Sequence, residues 1–485
     1  MRGRRWPDLV FAGDAPRETL SRAATAGRLR RLARGIYTPA HEAPEQVVRR
    51  NWWRILAHEF PGAIIGDRSA RAPHPDEGGR LTVIHSRRRP IELPGLTIIP
   101  RRGPGPLTGD QATPDGLWIS SQARGLLDNA AGAGARYLSG EELEHWVSDL
   151  LTRHGEFRLN ALRDQARDLA QQTGRLAAFE RLDRIVAAAL VTGPADAVAS
   201  DALRARAAGM PYDRDRLDRF TALAAFLGDL APEPLPALAA DEPRRRLLPF
   251  YEAYFSNYIE GTEFTLDEAA AIVFEHEVPS SRPQDAHDVV GTYQLVSDEA
   301  EMGRTPATGD ELIDLLLARH AIVMAGRPDM APGQFKDRAN RAGSTIFVAP
   351  ELVRGTLRAG FDGGASLVDP FARAAFLMFL VSEVHPFTDG NGRIARVMMN
   401  AELVRAGEVR IIVPTVYRLN YLAALRGATH NGRFEALAAV LRFAQKYTAR
   451  VDFSSRAVAE LALARTNALR DPNEAEDYGI RLTLP

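Results

Sequence analysis

The chain has 485 residues, 45% of them apolar and 25% charged, a globular composition that excludes a fibre, a collagen-like repeat or a low-complexity chain. It contains no cysteine, which excludes disulfides, thiolate nucleophiles, zinc ribbons and iron–sulfur ligation, so any metal must be held by oxygen or imidazole. The net charge of −1 conceals an asymmetry: residues 1–102 carry 20 arginines against 10 acidic residues, and such a basic module either attracts nucleic acid or presents a merely arginine-rich surface.

In chain order, residues 15–25 show helical spacing and stop near Gly27, and residues 28–38 read as a hairpin turning at Arg34-Gly35. Helix then hairpin is the shape of a recognition helix followed by a wing. Residues 62–66, 81–86 and 96–100 read as strands between proline and glycine turns, and helices are expected at 120–129 and 140–153. In residues 158–190, Leu159, Leu162, Ala166, Leu169 and Ala170 recur at helical spacing. Residues 201–243 read as helix ending in a proline-rich linker, and 247–453 as a nearly continuous helical series with a strand-like interruption at 344–350. Residues 454–485 read as a last helix with a loose tail. The expectation is a multidomain, mainly α protein: a winged-helix-like segment at 1–45, an α/β domain at 46–155, a helical region and linker at 156–245, a helical domain at 246–455 and a tail at 456–485.

Other chemistries find no support. Lys336 and Lys446 are the two lysines and neither follows a glycine, against a Walker A loop, and no H-E-x-x-H occurs. The longest uncharged apolar run, 374–381, falls far short of the roughly 20 residues of a membrane helix, and the first 16 residues lack the apolar core of an export signal. A cytoplasmic protein without membrane contact is expected.

The chemistry concentrates in residues 385–396, HPFTDGNGRIAR. A dense apolar helix ends at His385-Pro386, because proline disfavours helix in the residue before it. Gly390-Asn391-Gly392 lets backbone amides converge on an anion where a new helix begins near Arg393, and Arg393 and Arg396 add charge. Asp389 beside phosphates suits Mg2+, and His385, with a pKa near neutrality, suits a general base on a hydroxyl.

The string matches at every defining position the signature H-P-F-x-[DE]-G-N-G-R-x-x-R, so residues 250–453 resemble the Fic adenylyltransferases. These are all-helical proteins that move AMP from ATP to a hydroxyl side chain of a target protein. The resemblance implies His385 as the base and Phe387 as a core anchor. It implies Asp389 as the Mg2+ ligand, Gly390, Asn391, Gly392 and Arg393 as the phosphate cradle, and Arg396 on the γ-phosphate. Residues 316–320 and 332–338 resemble the preceding family helix and loop, with Lys336 where arginine is more usual. Thr345, Ile346, Phe347 and Val348 resemble the family's flap, a hairpin that aligns the target by adding a strand. Tyr421 either stacks near adenine or packs in the core. A homodimer is a further family trait.

Upstream, Ser256 and Glu260 share one helical face at i, i+4, and Gly261 ends the helix, so the glutamate sits at a carboxyl terminus and needs a cation. The pattern resembles the family's inhibitory helix, expected near 250–261, whose glutamate pairs with the second motif arginine and obstructs the γ-phosphate; in some members the same glutamate serves AMP removal. Residues 23–40 and 117–130 resemble type IV toxin–antitoxin (abortive-infection) antitoxins, implying an α+β region with a winged helix-turn-helix that binds DNA through Arg22, Arg28, Arg30 and Arg31. The other reading is a target-docking or oligomerisation module. The functional expectation is an autoinhibited transferase of AMP from Mg-ATP to a Ser, Thr or Tyr hydroxyl of a target protein. Its alternatives are removal of AMP, transfer of another nucleotide, or a DNA-binding regulator that senses nucleotide.

Overall fold

A computed structural model describes residues 6–39, 41–194, 196, 198–237 and 242–485. The chain divides into two compact units, Met1–Gly209 and Met210–Pro485.

The first unit opens with β1 (Val10–Phe11), α1 (Arg17–Thr25), β2 (Arg30–Ala33) and β3 (Ile36–Thr38), the strands forming a small antiparallel sheet of order β1-β3-β2. Helix, hairpin and turn thus lie where the residue pattern places them. α2 (Pro44–Glu59) leads into β4 (Ile64–Ile65), β5 (Arg80–Ile84), β6 (Ile91–Leu93), β7 (Leu96–Arg101), β8 (Gln111–Ala112) and β9 (Trp118–Ile119). Their sheet runs β6-β7-β5-β4-β9-β8, with β5/β7 and β4/β9 parallel and the other pairs antiparallel. α3 (Gln122–Ala131), α4 (Gly140–Thr173), α5 (Leu176–Ala189) and α6 (Asp201–Ala207) follow. Ser139 starts α4 through a capping box with Glu142, and Gly155, at φ 75°, breaks it, which is why the pattern reads as two helices. A buried ionic cluster ties sheet to helices: Asp67 accepts from Arg101 at 2.6 Å and Arg136 at 3.3 Å, and Asp128 accepts from Arg101 at 3.1 Å and from Arg175. Burial pushes the Asp128 carboxyl up despite these arginines.

The second unit consists of α7 (Arg214–Gly228), α8 (Glu242–Ile259), α9 (Leu266–Ala270), α10 (Pro283–Ser297), α11 (Glu299–Met302), α12 (Gly309–Val323), the hairpin β10 (Arg341–Ala342) and β11 (Thr345–Ile346), α13 (Val353–Gly363), α14 (Pro370–Val384), α15 (Asn391–Arg405), α16 (Arg418–Asn431), α17 (Phe434–Arg450), α18 (Arg456–Arg465) and α19 (Pro472–Asp477). α14 is apolar on nearly every face and lies at the centre, as a helix without a polar side must. Its Phe379 meets Phe220 of α7 and Phe434 of α17 edge-to-face at 6.2 Å each.

Two boundaries differ from the residue pattern. The units divide at Gly209/Met210 rather than near 245, because Phe220, Leu223 and Leu227 of α7 are buried in the core around α14. The proline-rich run that reads as the linker falls partly on residues 238–241, which lie outside the described residues. Nor is the carboxyl terminus loose: Ala459, Leu463, Ala475 and Leu482 are buried against Phe250 and Tyr251 of α8. Those apolar positions are sparse, so the pattern was weak. Among the described residues no helix is long and apolar enough to cross a membrane.

Phe379→Ala removes a fully buried ring at this junction and is expected to cost about 3–5 kcal/mol. In a thermal melt the transition of the second unit should fall while that of the first stays in place.

Candidate active site

α14 ends at His385, which adopts the left-handed conformation at φ 51°, unusual for a residue with a Cβ. Three contacts hold it there. Its backbone N–H bonds the Val381 carbonyl, buried Lys336 donates to its carbonyl at 2.7 Å, and Phe347 stacks on its ring at 3.7 Å with the planes 4° apart. The ring Nδ1 lies 3.3 Å from the Ser382 carbonyl, which can only accept, so Nδ1 carries the proton and Nε2 is the bare base. Burial pushes this histidine down to about 4, against the Ser382 bond and with help from the Lys336 charge, so the imidazole is neutral at pH 7. Burial likewise lowers Lys336 to about 8.

The loop after His385 is pinned from below. Phe387 is fully buried with the His320 ring stacked on it at 3.7 Å. Asn391 closes a two-way clasp on the Phe387 backbone, accepting its N–H and donating to its carbonyl, both at 2.8 Å, and Asn340 donates to the same carbonyl at 2.9 Å. His320 accepts the Gly333 N–H on Nδ1 and therefore donates through Nε2 to the Asp389 carbonyl at 3.1 Å. It too is held neutral, down to about 4, chiefly by burial. Gly390, at φ 76°, turns the chain into α15, and a Cβ there would lie 2.8 Å from Met324 Sδ.

At the amino terminus of α15 the two arginines are buried and committed. Arg393 pairs with Asp288 of α10 at 2.6 Å, and Asp288 is shared with Arg327 at 2.8 Å. Arg396 donates to Ser256 Oγ at 3.0 Å, the Ser256 carbonyl at 2.8 Å and Glu260 Oε1 at 2.7 Å. Burial works against the Arg396 charge, yet Glu260 outweighs it and holds the guanidinium above its usual range. The Glu260 carboxylate lies so close to the helix start that a Cβ on Gly392 would stand 2.1 Å from it. A helix amino terminus and an arginine thus receive an anion from α8, at a place suited equally to a phosphate.

Asp389 is the half-exposed carboxylate here, its Oδ1 accepting the Gly390 N–H at 2.7 Å. One exposed carboxylate beside an anion site fits Mg2+, which takes few protein oxygens and completes its shell with phosphate and water. Among the described residues no group of three or more acidic or histidine side chains could hold a metal by itself.

Residues 311–403, spanning all of this from α12 to α15, match the model of the Fic/DOC family. The second unit carries a Fic domain. The chain is 28% identical over 239 residues to the protein adenylyltransferase Fic of Nematostella vectensis, a stretch covering 47% of this chain and 54% of that protein. It is 30% identical over 193 residues to protein adenylyltransferase fic-1 of Caenorhabditis elegans, covering 37% and 36%. The matched stretches therefore span about half or less of those relatives. A solved structure of C. elegans Fic-1 aligns over 68% of this chain and 99% of its own, at 20% identity and a TM-score of 0.36.

Around the Fic motif the structure gathers His385, Asp389, Gly390, Asn391, Gly392, Arg393 and Arg396 with Ser256 and Glu260, while Gly261, at φ 93°, turns the chain just past Glu260. The flap residues stand beside them: Ala342 pairs with Thr345 and Arg341 with Ile346, Ile346 is 71% exposed, and Phe347 folds back onto His385. Tyr421 is 1% exposed, its hydroxyl donating to Met378 Sδ at 3.4 Å and bonding Arg396. It presents no open face. Arg22, Arg28, Arg30 and Arg31 lie exposed around α1 and β2 in the first unit. Residue reading gave no role to His320, Asn340, Asn257 or Asp288. The first two lie in or beside the segments that resemble the family; Asn257 and Asp288 had no signal beyond their place on helices, since a buried partner 136 or 105 positions from Arg393 is invisible to spacing.

His320 and His385 stay neutral in the folded chain down to about pH 4 but would protonate near 6.5 when unfolded. The unfolded state then binds more protons between those values, so the second unit should lose stability as pH falls from 6.5 towards 4. Melting temperatures at pH 7 and pH 5 test this, and His385→Ala should show a smaller drop; equal drops would contradict the assignment for His385.

Proposed function

We propose that this protein transfers AMP from ATP to a Ser, Thr or Tyr hydroxyl of a target protein and is held off at rest by Glu260. The observation that carries it is the complete loop from His385 to Arg396 met by the Glu260–Arg396 ion pair. Both listed functions need the same buried arginine, and the names of the relatives, protein adenylyltransferases, support the reaction.

In this reading the target segment pairs with the exposed edge of β11, which sets its hydroxyl beside His385 Nε2. The histidine takes the hydroxyl proton as the oxygen bonds the α-phosphorus, the bond from that phosphorus to the bridging oxygen breaks, and pyrophosphate leaves. Its depressed basicity keeps it unprotonated, and so competent, at neutral pH. The backbone N–H groups at Asn391 and Gly392 receive phosphate oxygens, the Asn391 side chain being spent on Phe387. Arg393 and Arg396 neutralise the phosphates, the main source of rate in such transfers. Mg2+, held by Asp389, would neutralise phosphate charge when bound. Tyr421 supports Arg396 from the core. The rest of the reading, a cytoplasmic location and a second copy of the chain, follows the family resemblance.

Intact mass after incubation with Mg-ATP tests this. Glu260→Gly should gain the mass of AMP at a rate at least tenfold above wild type, about the effect of one lost charge pair, and Glu260→Gly with His385→Ala should gain none. Equal labelling of wild type and Glu260→Gly removes the brake, and a gain only with another nucleoside triphosphate changes the donor. Release of AMP from a modified target by wild type, lost in Glu260→Gly, turns the reading to AMP removal.

The first unit supports a second activity. Exposed Arg22, Arg28, Arg30 and Arg31 on a helix followed by a hairpin suit the phosphate backbone of DNA. Retardation of duplex DNA at low salt, weakened by Arg28→Glu with Arg31→Glu, is expected; no retardation at low salt, where phosphate attraction is strongest, removes it.

A further inference from the structure

A cavity of about 550 Å3 lies in the second unit on the far side of α8 from Arg396. Its walls are the first turns of α8, the chain after α15 and the end of α17. Apolar side chains line much of it, Leu248, Val409 and Phe453 among them, and Arg244, Arg245, Arg405 and Arg410 face it against Glu299 and Glu408, an excess of two positive charges. Such a lining suits a molecule with an apolar body and an anionic head.

Its position gives it a consequence. Glu252, Ser256 and Glu260 recur at one-turn intervals along α8, facing Arg396 and Asn400 one turn apart on α15. Buried Glu252 accepts from Asn400 at 2.8 Å and from Arg410 at 2.6 Å, and Arg410 also donates through the same nitrogen to the Val296 carbonyl. Arg410 therefore joins the cavity wall to the same stripe that clamps Arg396. Pro249, also in the wall, removes a rung of the α8 ladder, so the helix is weakest beside the cavity.

We infer that this cavity is a regulatory site for an amphipathic anion, a carboxylate or phosphate on a medium-length apolar body, and that its occupant tightens the hold of α8 on Arg396. The site has α8 as a wall only while α8 is docked, so a ligand that fills it stabilises the docked state by linkage. The inference rests on α8 as the inhibitory element, yet its test needs no AMP transfer, so a failure of the brake assay leaves it readable.

The probe is decanoate, with decanol as the uncharged body and acetate as the bare head. Calorimetry on the full chain should show saturable decanoate binding, at least about tenfold weaker for decanol and acetate. Hydrogen exchange at the α8 amides should slow with decanoate. Leu248→Trp, which fills the cavity, should abolish both effects, and Arg405→Glu at the exposed rim, a change that spares the core, should weaken binding by about tenfold. Absence of saturable decanoate binding, binding unchanged in both variants, or α8 exchange that is unaltered or faster with decanoate would each overturn it.

Discussion

A guanidinium buried in a protein must have an anion. Arg396 lies at the start of α15, 5% exposed, and a charge so placed is uncompensated by water. Removing one partner of a buried pair costs about 3–5 kcal/mol, which is the scale of the constraint on whatever faces this arginine. At rest the partner is Glu260, and α8 must pack where it does to deliver that carboxylate. The aromatic packing of Phe250, Tyr251 and Phe255 beneath α8 and the bonds of Glu252 to Asn400 and Arg410 then serve one end: they set the register that places Glu260 over Gly392. Even the glycine is fixed by this, since any side chain there would occupy the carboxylate's position.

The same logic of enforced states runs through the loop. A histidine at the end of an apolar helix would be protonated near neutrality in water, yet burial holds both His385 and His320 neutral, each for a different purpose. For His320 neutrality permits one nitrogen to accept from Gly333 and the other to donate to Asp389, so the ring acts as a spacer beneath Phe387. For His385 it leaves Nε2 bare. The strained φ of His385 is sustained because Lys336, Phe347 and the α14 carbonyl all converge on it, an instance of strain at a site held by over-determined surroundings.

Much of this was legible in the residues. The apolar run before His385 forecasts a central helix, proline forecasts its end, and the twelve-residue string is dense enough to be recognised. The i, i+4 placement of Ser256 and Glu260 before a glycine forecasts a carboxylate in need of a cation. What stayed hidden were the long-range partners. Asp288 beneath Arg393 and Glu252 beneath Arg410 join positions more than a hundred residues apart, and neither local spacing nor composition carries such pairings. The division at Gly209 was hidden for a related reason: α7 reads as a surface helix from its charges, and its three large apolar residues commit it to the core of the second unit only once α14 is there to receive them.

The strength of any brake built this way is a difference between two anions on one arginine. Undocking Glu260 alone leaves Arg396 bare and is disfavoured, so release must be coupled to the arrival of a replacement. A terminal phosphate carries more negative charge than a carboxylate and can also take the backbone N–H groups at Gly392 that Glu260 now crowds. The carboxylate has the counter-advantage of being tethered to a packed helix, which removes the entropy of bringing it there. Substrate and inhibitor are thereby placed on nearly equal terms, and modest changes in how firmly α8 is seated decide between them. That is why the far end of α8, where Pro249 weakens the helix and Glu252 anchors it, bears on a site more than two helical turns away.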